Sequence, residues 1–144
     1  MRLHAFVLMN IGTDMFWGYR ADSSALYHAH TFVIDADNPD RAVELIWILT
    51  NVDSADMLRQ EYPHLAQYAD DVIEYRRREN RSLSVGDVVT FYQGEKFLVS
   101  KACERLGWSD HNVDLGVGLE VDNTRPTSQA RRAMQEFMES QGSR

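Results

Sequence analysis

The sequence predicts an α+β domain: a small, mostly antiparallel sheet of about four to six strands with two main helices packed on it. Three observations predict it. Short runs rich in β-branched and aromatic residues, Val88-Val89-Thr90-Phe91-Tyr92 the clearest, are bounded by Gly, Asp and Ser turns. Asn38-Pro39-Asp40 opens a helical pattern that runs to about Asn51. Ala130, Ala133, Met134, Phe137 and Met138 fall at i, i+3, i+4, i+7 and i+8, which marks a second helix over 125–140. A length of 144 residues, 44% of them hydrophobic, suits one domain over 1–144 with a real core.

Leu3 to Met9 is apolar and weakly alternating, the pattern of a buried strand. Asn10-Ile11-Gly12-Thr13-Asp14 is turn-like, and Met15-Phe16-Trp17-Gly18-Tyr19-Arg20 is an aromatic stretch that suits a strand or a surface patch. After the loop 21–25, Leu26 to Ile34 reads as a second strand. Strict alternation puts Tyr27, Ala29, Thr31 and Val33 on one face and His28, His30, Phe32 and Ile34 on the other.

The 39–51 helix has the best start in the chain. Asn38 caps the free amides, Pro39 fits the first helical position and Asp40 sits at the positive end of the dipole. Val43, Ile46 and Trp47 form one apolar stripe, and Leu45, Ile48 and Leu49 widen it beyond a normal amphipathic face. Such a helix lies across the middle of the sheet, covered on both sides or on one side plus a partner. Ser54 to Glu61 forms a short helix ended by Tyr62-Pro63, and His64 to Glu74 carries only a weak signal, that of a helical turn.

The stretch Arg81-Ser82-Leu83-Ser84-Val85-Gly86-Asp87-Val88-Val89 reads as a turn feeding a strand. Ser82 and Ser84 hold the bend through side-chain hydrogen bonds, Gly86 supplies positive φ and Asp87 follows in Gly-Asp turn order. Residues 88–100 then form a hairpin about the turn Gln93-Gly94-Glu95-Lys96. Val113, Leu115, Val117, Leu119 and Val121 alternate along a half-buried strand, with Gly116 and Gly118 on its other face. Thr124 or Asn123 caps the last helix.

This nine-residue stretch, with the arginine-rich lead-in Glu74 to Asn80 and the closing Gly107-Trp108, resembles the YodL-like domain family of bacteriophages and other bacterial mobile elements. The likeness covers about residues 74–108. It departs where Trp108 stands in place of a frequent Phe and where Ser100 to Arg105 lengthens the approach to Gly107. The resemblance implies a phage or mobile-element protein working in the cytoplasm of an infected bacterium. It implies no catalytic residues, for the family has none established.

Charge is uneven. Residues 1–75 hold 12 acidic and 4 basic side chains, and residues 76–144 hold 10 and 11, for a net −7. The acidic first half disfavours broad electrostatic binding to nucleic acid and suits either solubility or a basic partner. Arginine outnumbers lysine 13 to 2, as in proteins of GC-rich genomes. The single Cys103 excludes an internal disulfide and fits a cytosolic setting. The first residues lack a signal-peptide pattern, and no apolar run approaches the ~18 residues of a membrane span, so no membrane partner is expected.

Candidate chemistry is thin. His28 and His30, followed by Asp35 and Asp37, hold two potential metal ligands on one predicted strand face, but no third histidine follows and ordinary sheet-face histidines are favoured. Cys103 lacks a helix start or glycine elbow, and no Gly-x-Ser-x-Gly or phosphate loop occurs. No metal or cofactor is therefore expected. Arg76, Arg77, Arg78 and Arg81 form the one basic cluster; beside Phe91, Tyr92 and Phe97 it makes a nucleic-acid edge conceivable, while a solvated run pairing with Asp70, Asp71, Glu74 and Glu79 is favoured. The expectation is a non-enzymatic accessory protein that binds a host protein, with counter-defence or host takeover as its purpose. Its candidate binding residues are Arg76, Arg77, Arg78, Arg81, Phe91, Tyr92 and Trp108. The alternative is a small nucleic-acid-binding domain using the arginines and hairpin rings. The oligomeric state, a homodimer included, is left open.

Overall fold

The computed structural model describes residues 1–11, 18–20 and 26–115. Strands β1 (Arg2–Asn10), β2 (Leu26–Asp35), β3 (Val88–Gln93), β4 (Lys96–Cys103) and β5 (Trp108–His111) form one sheet in the order β2-β1-β3-β4-β5. Every neighbouring pair is antiparallel. Between β2 and β3 the chain passes through α1 (Pro39–Asn51), α2 (Ala55–Glu61), a 3-10 turn (Pro63–Tyr68) and α3 (Ala69–Arg77). This is the expected α+β class. The helix expected over 125–140 lies outside the described residues, as do residues 116–121 of the expected strand and residues 15–17 of the aromatic stretch.

β1 lies between β2 and β3, and its side chains enter the apolar clusters on both faces of the sheet, which explains its nearly unbroken apolar run. One face of the sheet presents Leu3, Val7, Phe32, Ile34 and Phe91 to Ile46, Leu49, Leu58, Val72 and Tyr75 of the helices. The other gathers Phe6, Leu8, Val88, Tyr92 and Ala102, with Tyr19, Phe97, Val113 and Leu115 packed on them. α1 meets both β2 and β4 and so crosses the middle of the sheet. Its start is the expected one: the Asn38 side chain accepts from Arg41 N at 2.9 Å, with Pro39 in the first turn.

Four sequence expectations change. The weak signal at 64–74 is the 3-10 turn and the body of α3, whose buried Ala69, Val72 and Tyr75 recur every third residue beneath a dense charged surface. β5 appears at Trp108–His111, where only Trp108 favours a strand; pairing with β4 makes it one. Residues 113–115 are not a strand. Val113 N donates to Ser100 Oγ at 3.0 Å and Leu115 N to Tyr92 OH at 2.7 Å, so side chains replace a ladder.

The fourth change concerns the histidines. Val7 pairs with His30 and Leu8 with His28, which leaves Ala29 as a β-bulge. The extra residue flips the alternation, so His28 and His30 point to opposite faces rather than sharing one. His28 lies 5.6 Å from the ring of Phe6 and bonds Thr31 Oγ1 at 2.7 Å, whereas His30 packs on Phe32 at 4.6 Å in the helix-side core. The two imidazoles cannot hold one ion.

Candidate protein-binding groove

The arginine cluster does not form a surface. Arg81 makes a two-pronged ion pair with Asp87, its Nη2 donating to Oδ1 at 2.7 Å and its Nη1 to Oδ2. Asp87 is 0% exposed and also accepts from Asn10 N and Ser84 N, each at 2.8 Å. Burial alone would lower the pKa of Arg81; the hydrogen bond and charge of Asp87 outweigh it and raise the pKa. Gly86 has φ 93°, as the turn reading requires, and its carbonyl accepts from Asn10 Nδ2 at 3.2 Å. The motif therefore ties the 81–87 turn to the end of β1.

Arg76 reaches back to the end of α1. Its Nη2 donates to Thr50 O at 2.8 Å and Val52 O at 3.0 Å, and to Ser82 Oγ at 3.2 Å. A guanidinium at a helix C-terminus meets carbonyls that have no intrahelical partner. Arg78 is buried, with Nη1 3.4 Å from His30 Nδ1. Arg77 alone extends into solvent, its side chain 78% exposed beside Glu74. Ser84 Oγ accepts from Arg81 at 3.2 Å, so both serines serve the bend as expected, though by holding arginines.

The hairpin rings are dispersed as well. Phe91 is fully buried on the helix side, and Tyr92 lies on the other face with its hydroxyl donating to Asp114 at 2.6 Å. Arginines 76, 78 and 81 and these two rings thus stabilise the fold and do not present the edge that the sequence suggested.

Trp108 is different. At the start of β5 it meets Trp47 of α1 edge-to-face, ring centroids 6.1 Å apart at 83°. Trp47 was expected in the core stripe of α1, but it is 40% exposed. The two rings wall a groove of about 400 Å³ whose other lining includes Glu44, Ile48, Glu104 and Arg105, with Cys103 at its base. Trp47 and Ile48 also line an adjoining groove of about 190 Å³ with Asp53, Met57, Glu61 and Tyr62. On the far side the β4–β5 turn carries Leu106, 94% exposed and bordered by Glu104 and Arg105. Beside the first groove, Lys101 Nζ bonds both Asp40, at 2.6 Å, and Asp110, at 2.5 Å. Burial would lower its pKa, and hydrogen bonds to the two carboxylates raise it instead.

Compared with known proteins, the chain matches no family model, no curated protein and no solved structure. Its site must therefore be read from its own chemistry.

Cys103 is a poor nucleophile. Burial first, then the charges of Asp87 and Glu104, push its thiol from 9.0 to about 11. Ser109 Oγ lies 2.9 Å from His111 Nε2 but donates to Glu104 Oε1 at 2.7 Å. Among the described residues no group of three or more His, Cys, Asp or Glu is placed to hold a metal ion.

The face around the groove carries an exposed tryptophan, an apolar tip at Leu106 and acidic residues along its edge. Of the binding residues named from the sequence, Trp108 belongs to it. Trp47, Glu44 and Leu106 were missed. The overwide apolar stripe of 39–51 was the available signal, since a helix with more apolar surface than one sheet can cover leaves part of it exposed.

Proposed function

We propose that the protein is a non-enzymatic accessory protein of a phage or mobile element, acting in the bacterial cytoplasm by binding a host protein at the Trp47–Trp108 groove. The observation that carries this reading is the half-exposed Trp47 set edge-to-face on Trp108 at the mouth of a groove of about 400 Å³. Tryptophans in partly open, well-packed pockets are the residues on which protein interfaces most depend. Leu106 extends the apolar area and the acidic rim supplies orientation. The phage setting rests on the Arg81 to Val89 resemblance, and counter-defence or host takeover are the purposes that fit it.

The test places a photo-crosslinking amino acid at Leu106, next to the groove, and at Ile73, an exposed apolar residue of α3 outside it. A discrete host protein should crosslink from position 106 and not from 73, and Trp47→Asp should abolish it. Equal labelling from both positions, or none, overturns the reading. Retained DNA or RNA that is released steeply by salt and lost in Arg77→Glu would carry the nucleic-acid alternative instead. That alternative has little left to use, because Arg76, Arg78 and Arg81 are engaged inside the fold.

A further inference from the structure

We infer that the corner between Trp47 and Trp108 is a cation subsite, receiving an arginine or lysine side chain from a basic segment of the bound partner. The inference rests on the protein-binding role proposed above and adds the chemistry of what is bound.

Two indoles at 83° with centroids 6.1 Å apart form a corner that offers a ring face to an incoming group. Indole faces carry the strongest attraction for cations among the aromatic side chains. Glu44 lines the same groove, whose one basic lining residue is Arg105, while the Glu104 carboxylate is turned to Ser109 Oγ. Nearby, Asp40 and Asp110, 82% and 66% exposed, share one ammonium, that of Lys101. The adjoining groove adds Asp53 and Glu61. Negative charge is thus in excess along the whole face.

That excess decides the occupant. An acidic segment would be repelled. A purely apolar one would satisfy the rings but strip water from Glu44 without replacing it. An arginine or lysine satisfies both, its aliphatic stem lying on Trp47 and Ile48 and its charged head reaching the Glu44 carboxylate. Asp40, Glu44, Asp53 and Glu61, all from the acidic first half of the chain, lie along this face and steer such a segment toward it.

The probe is the peptide acetyl-Ala-Leu-Arg-Leu-Ala-amide, with lysine, citrulline and glutamate counterparts, titrated into the full chain. Binding is read from the indole N–H resonances of Trp47 and Trp108, assigned with Trp→Phe variants. The arginine and lysine peptides should move both resonances. Citrulline, of the same shape without charge, should bind about tenfold more weakly. Glu44→Gln should weaken the arginine peptide about threefold or more while citrulline binding stays the same. Equal binding of citrulline, or no shift with any peptide, overturns the inference. Indole shifts that follow protein concentration alone would put a second copy in the groove and overturn it too. The crosslink from position 106 separates the two readings. If it survives Glu44→Gln, the binding role stands without the cation subsite. If it never forms, the binding role itself falls.

Discussion

Replacing Asp87 is the sharpest perturbation of the fold. Its carboxylate is fully buried and accepts from Asn10 N, Ser84 N and both Nη atoms of Arg81. In Asp87→Ala the Asn10 amide, in a residue 1% exposed, loses its acceptor where water cannot replace it. Leaving a buried amide unsatisfied costs about 1–3 kcal/mol. Ser84 is only partly buried, so its amide recovers some hydration. The Arg81 side chain is 37% exposed and likewise turns partly to water, which holds the loss toward the low end of the ~3–5 kcal/mol typical of a broken buried pair. Together these give a loss of about 4–6 kcal/mol, a large part of the ~5–15 kcal/mol that holds a domain folded. Asp87→Asn keeps an acceptor for Asn10 and should lose less, though its amide NH₂ faces Arg81. Urea unfolding followed by circular dichroism measures both. A cycle with Arg81→Met should show coupling of about 1.5–3 kcal/mol. A loss under about 1 kcal/mol in Asp87→Ala, or coupling near zero, refutes the view that this pair ties the turn to β1. Asp87→Asn should also lower the pKa of Cys103, because the Asp87 charge helps raise it.

Cys103 supplies a test with pH. Its folded pKa is raised to about 11, so below pH 9 both states keep the proton and burial of the thiol contributes in full. Between 9 and 11 the unfolded chain releases the proton first, and stability falls as pH rises. Lys101, raised by Asp110 and Asp40, adds loss of the same sign further up the alkaline range. Urea midpoints should therefore decline above pH 9, and a thiol reagent should label Cys103 slowly at neutral pH, because a pKa of about 11 leaves little thiolate. Arg76→Met should cost about 1.5–3 kcal/mol by freeing Thr50 O and Val52 O at the end of α1, read as a lower urea midpoint. Ile46→Asp, at a fully buried position of α1 against the sheet, should abolish the folded far-ultraviolet spectrum, since a carboxylate there has no partner.

Elements whose signals are local could be read from the chain. Asn38-Pro39-Asp40 announces α1 because a cap acts within three residues. Gly86 and Asp87 announce their turn because positive φ and a side-chain acceptor are needed on the spot. The β3–β4 hairpin follows from two strand-forming runs closing on Gly94. α3 was harder, because six of its nine residues are charged or tyrosine and its buried stripe is only three residues long. The Ala29 bulge left no mark in the residues at all: alternation holds until a partner strand pairs two against one, and β1 does so here.

The sequence by itself determined the class of fold, the position of α1 and the chemistry of the 81–87 turn, since each depends on side chains acting over a few residues. Tertiary structure alone decided the fate of the arginines. Close together in the chain, Arg76, Arg78 and Arg81 reach Thr50, His30 and Asp87, and only Arg77 stays in water. It also decided the groove, since Trp47 and Trp108 stand 61 positions apart and meet only because α1 crosses the sheet toward β5. A run of like charge carries no record of which distant carbonyls and carboxylates will claim its members, and a tryptophan carries none of the ring it will face.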